Sequence, residues 1–169
     1  IKKSESALFD LCPHDISLIL GIVKEVPTSI NCRNATHVEH SDGDIIFTSL
    51  NFPNGVTAIM HSSWYSPYKE HRLVVTGSLG SIIFDDTKPS QQKLTFFKDS
   101  IIIEGDAIKV DRAEPEYLPF CTGEPLKNEI SAFIEVCKNG KPAITDIEEG
   151  LKVQQILSEM KSQIDSEIL

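Results

Sequence analysis

Apolar residues crowd the segment from Leu11 to Val23, where Ile16, Leu18, Ile19, Leu20 and Ile22 leave few polar gaps. This pattern predicts a helix that begins near Leu11 or Cys12. Pro13 fits only in its first turn, and Gly21 and Pro27 bracket its end. From Ser29 the period changes to two. Runs at 29–36, 44–52 and 56–64 read as strands, and Pro53-Asn54-Gly55 between the last two reads as a hairpin turn. In the third run Val56, Ala58, Met60 and Trp64 share one face, while Thr57, His61 and Ser63 take the other. Ser66-Pro67-Tyr68 breaks the pattern. It resumes at 72–76 and 81–84 around the turn Gly77-Ser78-Leu79-Gly80, then at 93–97, 101–104 and 107–110. Two helices close the chain. Pro125 opens the first, with Leu126, Ile130, Phe133, Ile134 and Cys137 at helical spacing and Asn139-Gly140 at its end. Thr145 and Glu148 predict a capping box for the second, whose apolar stripe is Val153, Ile156, Leu157, Met160 and Ile164.

One helix, seven or eight strands and two helices give an α+β fold. Turn signals at hairpin spacing favour an open, mostly antiparallel sheet with helices packed on one face. Ile45 and Phe47 alternate with Ile46 and Leu50, so the second strand is apolar on both sides. A second copy covering the open sheet face is therefore expected. The length, 169 residues, predicts a single domain over 1–169. Sixteen basic against 25 acidic residues leave a net charge of −9, which argues against nucleic acid as a partner. No apolar run reaches the ~18 residues of a membrane span, so no membrane is expected either. Cys12, Cys32, Cys121 and Cys137 stand far apart, without zinc-ribbon or redox spacing. They read as reduced thiols of a cytoplasmic protein.

Candidate chemistry concentrates on the first helix. Asp10, His14, Ser17 and Gly21 fall at i, i+4, i+7 and i+11, one polar or small stripe on an apolar helix. Burial of such a helix would partly desolvate a carboxylate and an imidazole, and Asp10 could orient the ring of His14. That pairing suits general acid–base work, although a structural His–Asp pair gives the same pattern. A second feature is the run Trp64-Tyr65-Ser66-Pro67-Tyr68-Lys69-Glu70-His71-Arg72. Its aromatics and cations could stack a ring and hold an anion, with Trp64, Lys69 and Arg72 as the candidate contacts; a solvated hairpin connection is the plainer reading. His37-Val38-Glu39-His40 lacks a third converging ligand and reads as a polar turn, so no metal is expected. The nine glycines contain neither G-x-G-x-x-G nor a Walker spacing, so no dinucleotide-binding unit is encoded.

Taken in order, these motifs resemble the C-terminal domain of the Gfo/Idh/MocA family of oxidoreductases. Asp10-Leu11-Cys12-Pro13-His14-Asp15-Ile16 is similar to that family's D-x-x-x-H-D-I segment. Phe52-Pro53-Asn54-Gly55, Ser63-Trp64, Val74 through Gly80, Phe84-Asp85-Asp86, Glu124-Pro125-Leu126 and Thr145 through Leu151 follow in the family's order. The stretch from Ser63 to Glu70, followed by Phe-Asp-Asp, most resembles the nucleotide-sugar branch. That branch includes the UDP-N-acetylglucosamine and UDP-N-acetylglucosaminuronate 3-dehydrogenases of surface-polysaccharide synthesis. Two departures stand out: Ser4-Glu5-Ser6-Ala7 where the family often has glycines, and Ser17 where it often has Asp.

The resemblance implies a substrate-binding and oligomerisation domain that follows a Rossmann domain. NAD or NADP would be bound mainly by that absent domain, and the sugar or nucleotide sugar would lie between the two. His14 would be the acid–base residue and Asp10 a carboxylate touching substrate and His14. The family's lysine, in an E-K-P motif, has no counterpart in this chain, which begins at Ile1 and would be inactive alone. The open sheet face would form the homo-oligomer. A non-catalytic sugar-binding or dimerisation module is the alternative.

Overall fold

The computed structural model describes residues 6–37, 43–105, 107–120, 123–140, 142–143 and 145–167, without the side chains of 103, 104 and 167. Cys121, the 38–42 part of the His37 turn, and Ser4-Glu5 lie outside the described residues. The chain divides into two compact units: Ile1–Tyr65 with Glu135–Leu169, and Ser66–Ile134.

In the first unit a single turn, α1 (Ala7–Asp10), leads directly into α2 (Cys12–Val23). Pro13 occupies the first turn of α2 as expected. The helix runs past Gly21 and stops at Lys24, which takes the left-handed conformation (φ 62°) while its N–H donates to Leu20 O at 2.9 Å. Three strands follow, β1 (Ser29–Ala35), β2 (Ile45–Asn51) and β3 (Thr57–Ser63), paired antiparallel in the order β1-β2-β3. The Pro53-Asn54-Gly55 turn closes β2 onto β3: Phe52 N–H reaches Val56 O at 2.9 Å, and Gly55 adopts φ 82°.

The core lies on one side of this sheet. Leu8, Cys12, Ile16 and Leu20 meet Cys32, Ile46, Leu50 and Met60, with Ile156, Leu157, Met160 and Ile164 from the last helix, α4 (Ile147–Glu167). That helix begins one residue later than the sequence indicated. Asp146, not Thr145, is its cap, and its Oδ1 accepts the Glu149 N–H at 2.9 Å. Gln163 on α4 closes the edge of β1: its Oε1 accepts the Cys32 N–H at 2.8 Å and its Nε2 donates to Ile30 O at 3.0 Å. The opposite sheet face carries Phe47 (51% exposed) and Ile59 (84% exposed).

The second unit contains β4 (Arg72–Gly77), β5 (Gly80–Asp85), β6 (Leu94–Phe97) and β9 (Glu116–Tyr117), in the antiparallel order β4-β5-β6-β9. A separate hairpin pairs β7 (Ser100–Glu104) with β8 (Ala107–Asp111). β9 is too short to show a period and is absent from the sequence expectation. The expected single sheet is thus three antiparallel pieces, and the α+β class stands. Helix α3 (Pro125–Asn139) begins at the expected proline, and Gly140 (φ 62°) donates to Val136 O at 2.9 Å at its end. Its apolar stripe is exposed, not buried: Leu126, Ile130, Phe133 and Ile134 all face solvent. Periodicity specifies which residues share a face, and what covers that face is a separate matter.

Candidate functional site

The α1–α2 junction presents Asp10, His14 and Asp15 within six residues. Asp10 ends α1, Leu11 separates the two helices, and His14 and Asp15 lie in the first turn and a half of α2. Two carboxylates in this segment are tied down by β3. Trp64 Nε1 donates to Asp10 Oδ2 at 2.9 Å, and Ser62 Oγ donates to Asp15 Oδ2 at 2.8 Å. Ser62 and Trp64 are two apart on β3 and its end, so their side chains leave on the same, helix-facing side.

His14 has an exposed side chain, and among the described residues it forms no side-chain hydrogen bond or ion pair. Asp10 is exposed as well, and no hydrogen bond joins it to His14. Among the described residues both side chains are thus exposed, where burial was expected. Cys12, Ile16, Ile19 and Leu20 fill the face of α2 turned to the sheet, which leaves His14, Leu18 and Ile22 on the outer side. The expected polar stripe also divides. Ser17 Oγ donates to Glu149 Oε1 of α4 at 2.6 Å, away from His14. Ser17 and Glu149, with Phe9, Pro13 and Gln154, line a groove of about 440 Å³ between the paired helices and α4.

The backbone around the site is fixed from the start of β2. Gly43 O accepts the Ala7 N–H at 3.0 Å, and Asp44 O accepts the Trp64 N–H at 2.9 Å. Gly43 needs to be glycine, since its φ is 127° and a Cβ would lie 2.9 Å from Ile46 Cδ1. Asp44 is fully buried and its Oδ2 accepts the His37 N–H. His37 in turn packs its ring 5.3 Å from Tyr65.

Burial pushes the Cys12 thiol up to about 11, against a smaller opposing pull from the Ser62 hydroxyl. It is inert at neutral pH. Sequence reasoning missed both Ser62 and Asp15. The available signal was a serine among Ala58, Met60 and Trp64 on the core-facing parity of β3, because a buried hydroxyl requires a partner.

Lys69 and Arg72 belong to the second unit. Lys69 is exposed and has no ion-pair partner among the described residues. Arg72 Nη2 lies 3.1 Å from Glu70 Oε1. In the same unit Asp86 pairs with Lys93 at 2.5 Å and faces His71 Nδ1 at 3.7 Å. The Lys93 ammonium holds the Asp86 carboxyl below the usual carboxylate range. Lys93 also lies 5.9 Å from the centre of the Phe120 ring.

A dinucleotide needs a strand running into a glycine-rich turn at a helix N-terminus. The described residues do not fit one. The glycines with positive φ mark the approach to β2 (Gly43), three hairpin turns (Gly55, Gly80, Gly105) and the end of α3 (Gly140). Among the described residues, no three His, Cys, Asp or Glu side chains converge as metal ligands.

Residues 2–83, which contain the Asp10–His14–Trp64 constellation, match the family model described as the GFO/IDH/MocA C-terminal domain. Over that stretch the chain is similar to the family. A comparison with curated protein sequences gives no significant match. Among solved structures, the chain is similar to a UDP-N-acetylglucosamine 3-dehydrogenase, GnnA, from Acidithiobacillus ferrooxidans, with a TM-score of 0.76 at 16% identity over 95% of this chain and 47% of that one. It is similar to an NAD-binding protein from Listeria innocua, with a TM-score of 0.71 at 18% identity over 96% of this chain and 50% of that one. A third likeness is to an aldose–aldose oxidoreductase from Caulobacter crescentus complexed with glycerol, with a TM-score of 0.66 at 20% identity over 95% and 45%. At these identities the likeness establishes a shared fold. The chain spans about half the length of these solved chains.

Proposed function

We propose that residues 1–169 form the substrate-binding and oligomerisation domain of a dehydrogenase that acts on a sugar or nucleotide sugar. The reaction is oxidation of a secondary hydroxyl to a ketone. His14 accepts the hydroxyl proton, and Asp10 touches the sugar beside it. NAD or NADP, held outside this chain, is the oxidant. Because the described residues offer no dinucleotide cradle, this chain by itself is proposed to be inactive. The observation that carries the reading is an exposed imidazole without a partner, one turn beyond a carboxylate that is itself held by a long-range hydrogen bond. A histidine buried for structure would need a partner within its own domain, whereas this one is exposed and open to a substrate. The family match at this segment and the sugar dehydrogenase among the structural neighbours support the same reading.

A nucleotide sugar is favoured over a free sugar. Lys69 and Arg72 are proposed as contacts for its phosphates, since exposed cations in a chain of net charge −9 are the groups such an anion would select. A substrate of that kind places the reaction in the cytoplasm. The exposed face of the β1-β2-β3 sheet is proposed to pair two copies.

The test uses the full-length protein with UDP-N-acetylglucosamine and NAD+, following reduced nicotinamide by absorbance. His14→Ala is expected to lower kcat by about a hundredfold or more, with KM changing far less. Unchanged turnover would sink the acid–base role and leave the non-catalytic module as the better account.

A further inference from the structure

We propose that Trp64 is a positioning residue that acts through Asp10: its indole N–H holds one carboxylate oxygen so that the other is presented to the sugar. The inference rests on the reading of Asp10 and His14 given above. The indole Nε1 donates to Asp10 Oδ2 at 2.9 Å, while Oδ1 has no partner among the described residues. An indole N–H can only donate, so it fixes a carboxylate without exchanging protons with a nearby hydroxyl or imidazole.

Both ends of this contact are rigid. The Trp64 N–H is bound to Asp44 O at 2.9 Å, and the Tyr65 N–H after it is bound to Ser63 Oγ at 3.0 Å. The Trp64 ring packs against the buried core. On the other side, the Asp10 N–H is bound to Ser6 O at 3.1 Å and the Ala7 N–H to Gly43 O at 3.0 Å. The loop at Gly43 and Asp44 thus anchors the backbones of both partners. Asp15 gives the contrast. Its carboxylate is turned toward Ser62 and is half-buried, so Asp10 is the acid of this segment left facing outward. A side chain held by packing and a second hydrogen bond is what precise substrate orientation requires.

A double-mutant cycle in the full-length protein tests the proposal, with UDP-N-acetylglucosamine and NAD+ as substrates. Trp64→Phe keeps the ring and removes the donor. It is expected to lower kcat about tenfold or more and to have no further effect in an Asp10→Ala background. The same loss in both backgrounds, or no loss in either, overturns the proposal. His14→Ala is read in parallel. Turnover abolished by His14→Ala but untouched by Trp64→Phe defeats the positioning role alone, whereas turnover untouched by His14→Ala defeats the reading beneath it. A spectroscopic arm needs no change at Trp64. Its indole N–H resonance is expected to move on Asp10→Ala, an exposed substitution, and to stay put on His14→Ala. A resonance that ignores Asp10→Ala overturns the contact itself.

Discussion

Cys12, Asp15 and Ser62 show how a local arrangement controls ionisation. Ser62 Oγ donates to Asp15 at 2.8 Å, and Cys12 is fully buried beside them. Burial raises the Cys12 thiol from its ordinary 9.0 to about 11. The folded state therefore holds this proton more tightly than the unfolded state. Its contribution to stability is complete below pH 9 and is lost as pH rises from 9 toward 11. Urea midpoints measured at pH 8, 9, 10 and 11 are expected to fall by the equivalent of about 2 kcal/mol over that window, and Cys12→Ala is expected to flatten the fall. A midpoint falling equally in Cys12→Ala would assign the loss to other groups. At this scale the sequence was only partly informative. Asp10 and His14 are four apart in the sequence, so their spacing marks them even though Asp10 closes α1 and His14 lies in α2. The bond from Trp64 to Asp10 crosses 54 positions, and no periodicity encodes such a contact. Desolvation was misjudged for a related reason: the composition of α2 says that it is apolar, but its neighbours decide which side is covered.

Elements were legible wherever a turn residue had a geometric task. Pro53-Asn54-Gly55 sets the β2–β3 register, with Cys32, Thr48 and Met60 aligned across three strands. Gly77 to Gly80 does the same for β4 and β5. The Glu116–Tyr117 pairing escaped notice because two residues cannot display a period. The cap of α4 fell one residue late because Thr145 and Asp146 both have capping side chains, and only the fold selects between them. Gly80 gives the sharpest element-scale prediction. Its φ is 138°, and a Cβ there would lie 2.4 Å from Phe97 O and 2.7 Å from Phe96 Cε2. Both clashes fall on β6, the strand paired with β5. Gly80→Ala is expected to destabilise the second unit by about 2 kcal/mol or more. Gly77→Ala is the control, since its Cβ would meet only Gly80 O at 4.0 Å, and its effect should stay within about 1 kcal/mol. Denaturant midpoints of the two variants check the difference, and equal midpoints would refute the close approach.

At the scale of the whole molecule, the outer face of the β1-β2-β3 sheet is where the proposed pairing of two copies is tested. The pairing register puts Phe47 between Arg33 and His61, and the rings of Phe47 and His61 stack at 4.7 Å. Ile59, on the same side of β3, is 84% exposed. Covering a side chain of this size contributes about 1.5–3 kcal/mol, so a self-complementary contact made twice across a two-fold axis could hold two copies together. Opposing this is a net charge of −9 on each copy. Salt screens such repulsion over roughly 8 Å at physiological ionic strength, while apolar burial is not weakened by it. Association through this face should therefore strengthen between 20 and 300 mM salt, at roughly constant pH, as the like charges are screened. Ile59→Asp places a new acid at the centre of the contact and is expected to raise the dissociation constant about a hundredfold or more, with little change in the stability of the chain because the position is already exposed. Light scattering across a dilution series reads both effects. A mass that stays at one chain at every salt concentration, or a dimer indifferent to Ile59→Asp, would move the interface away from this sheet.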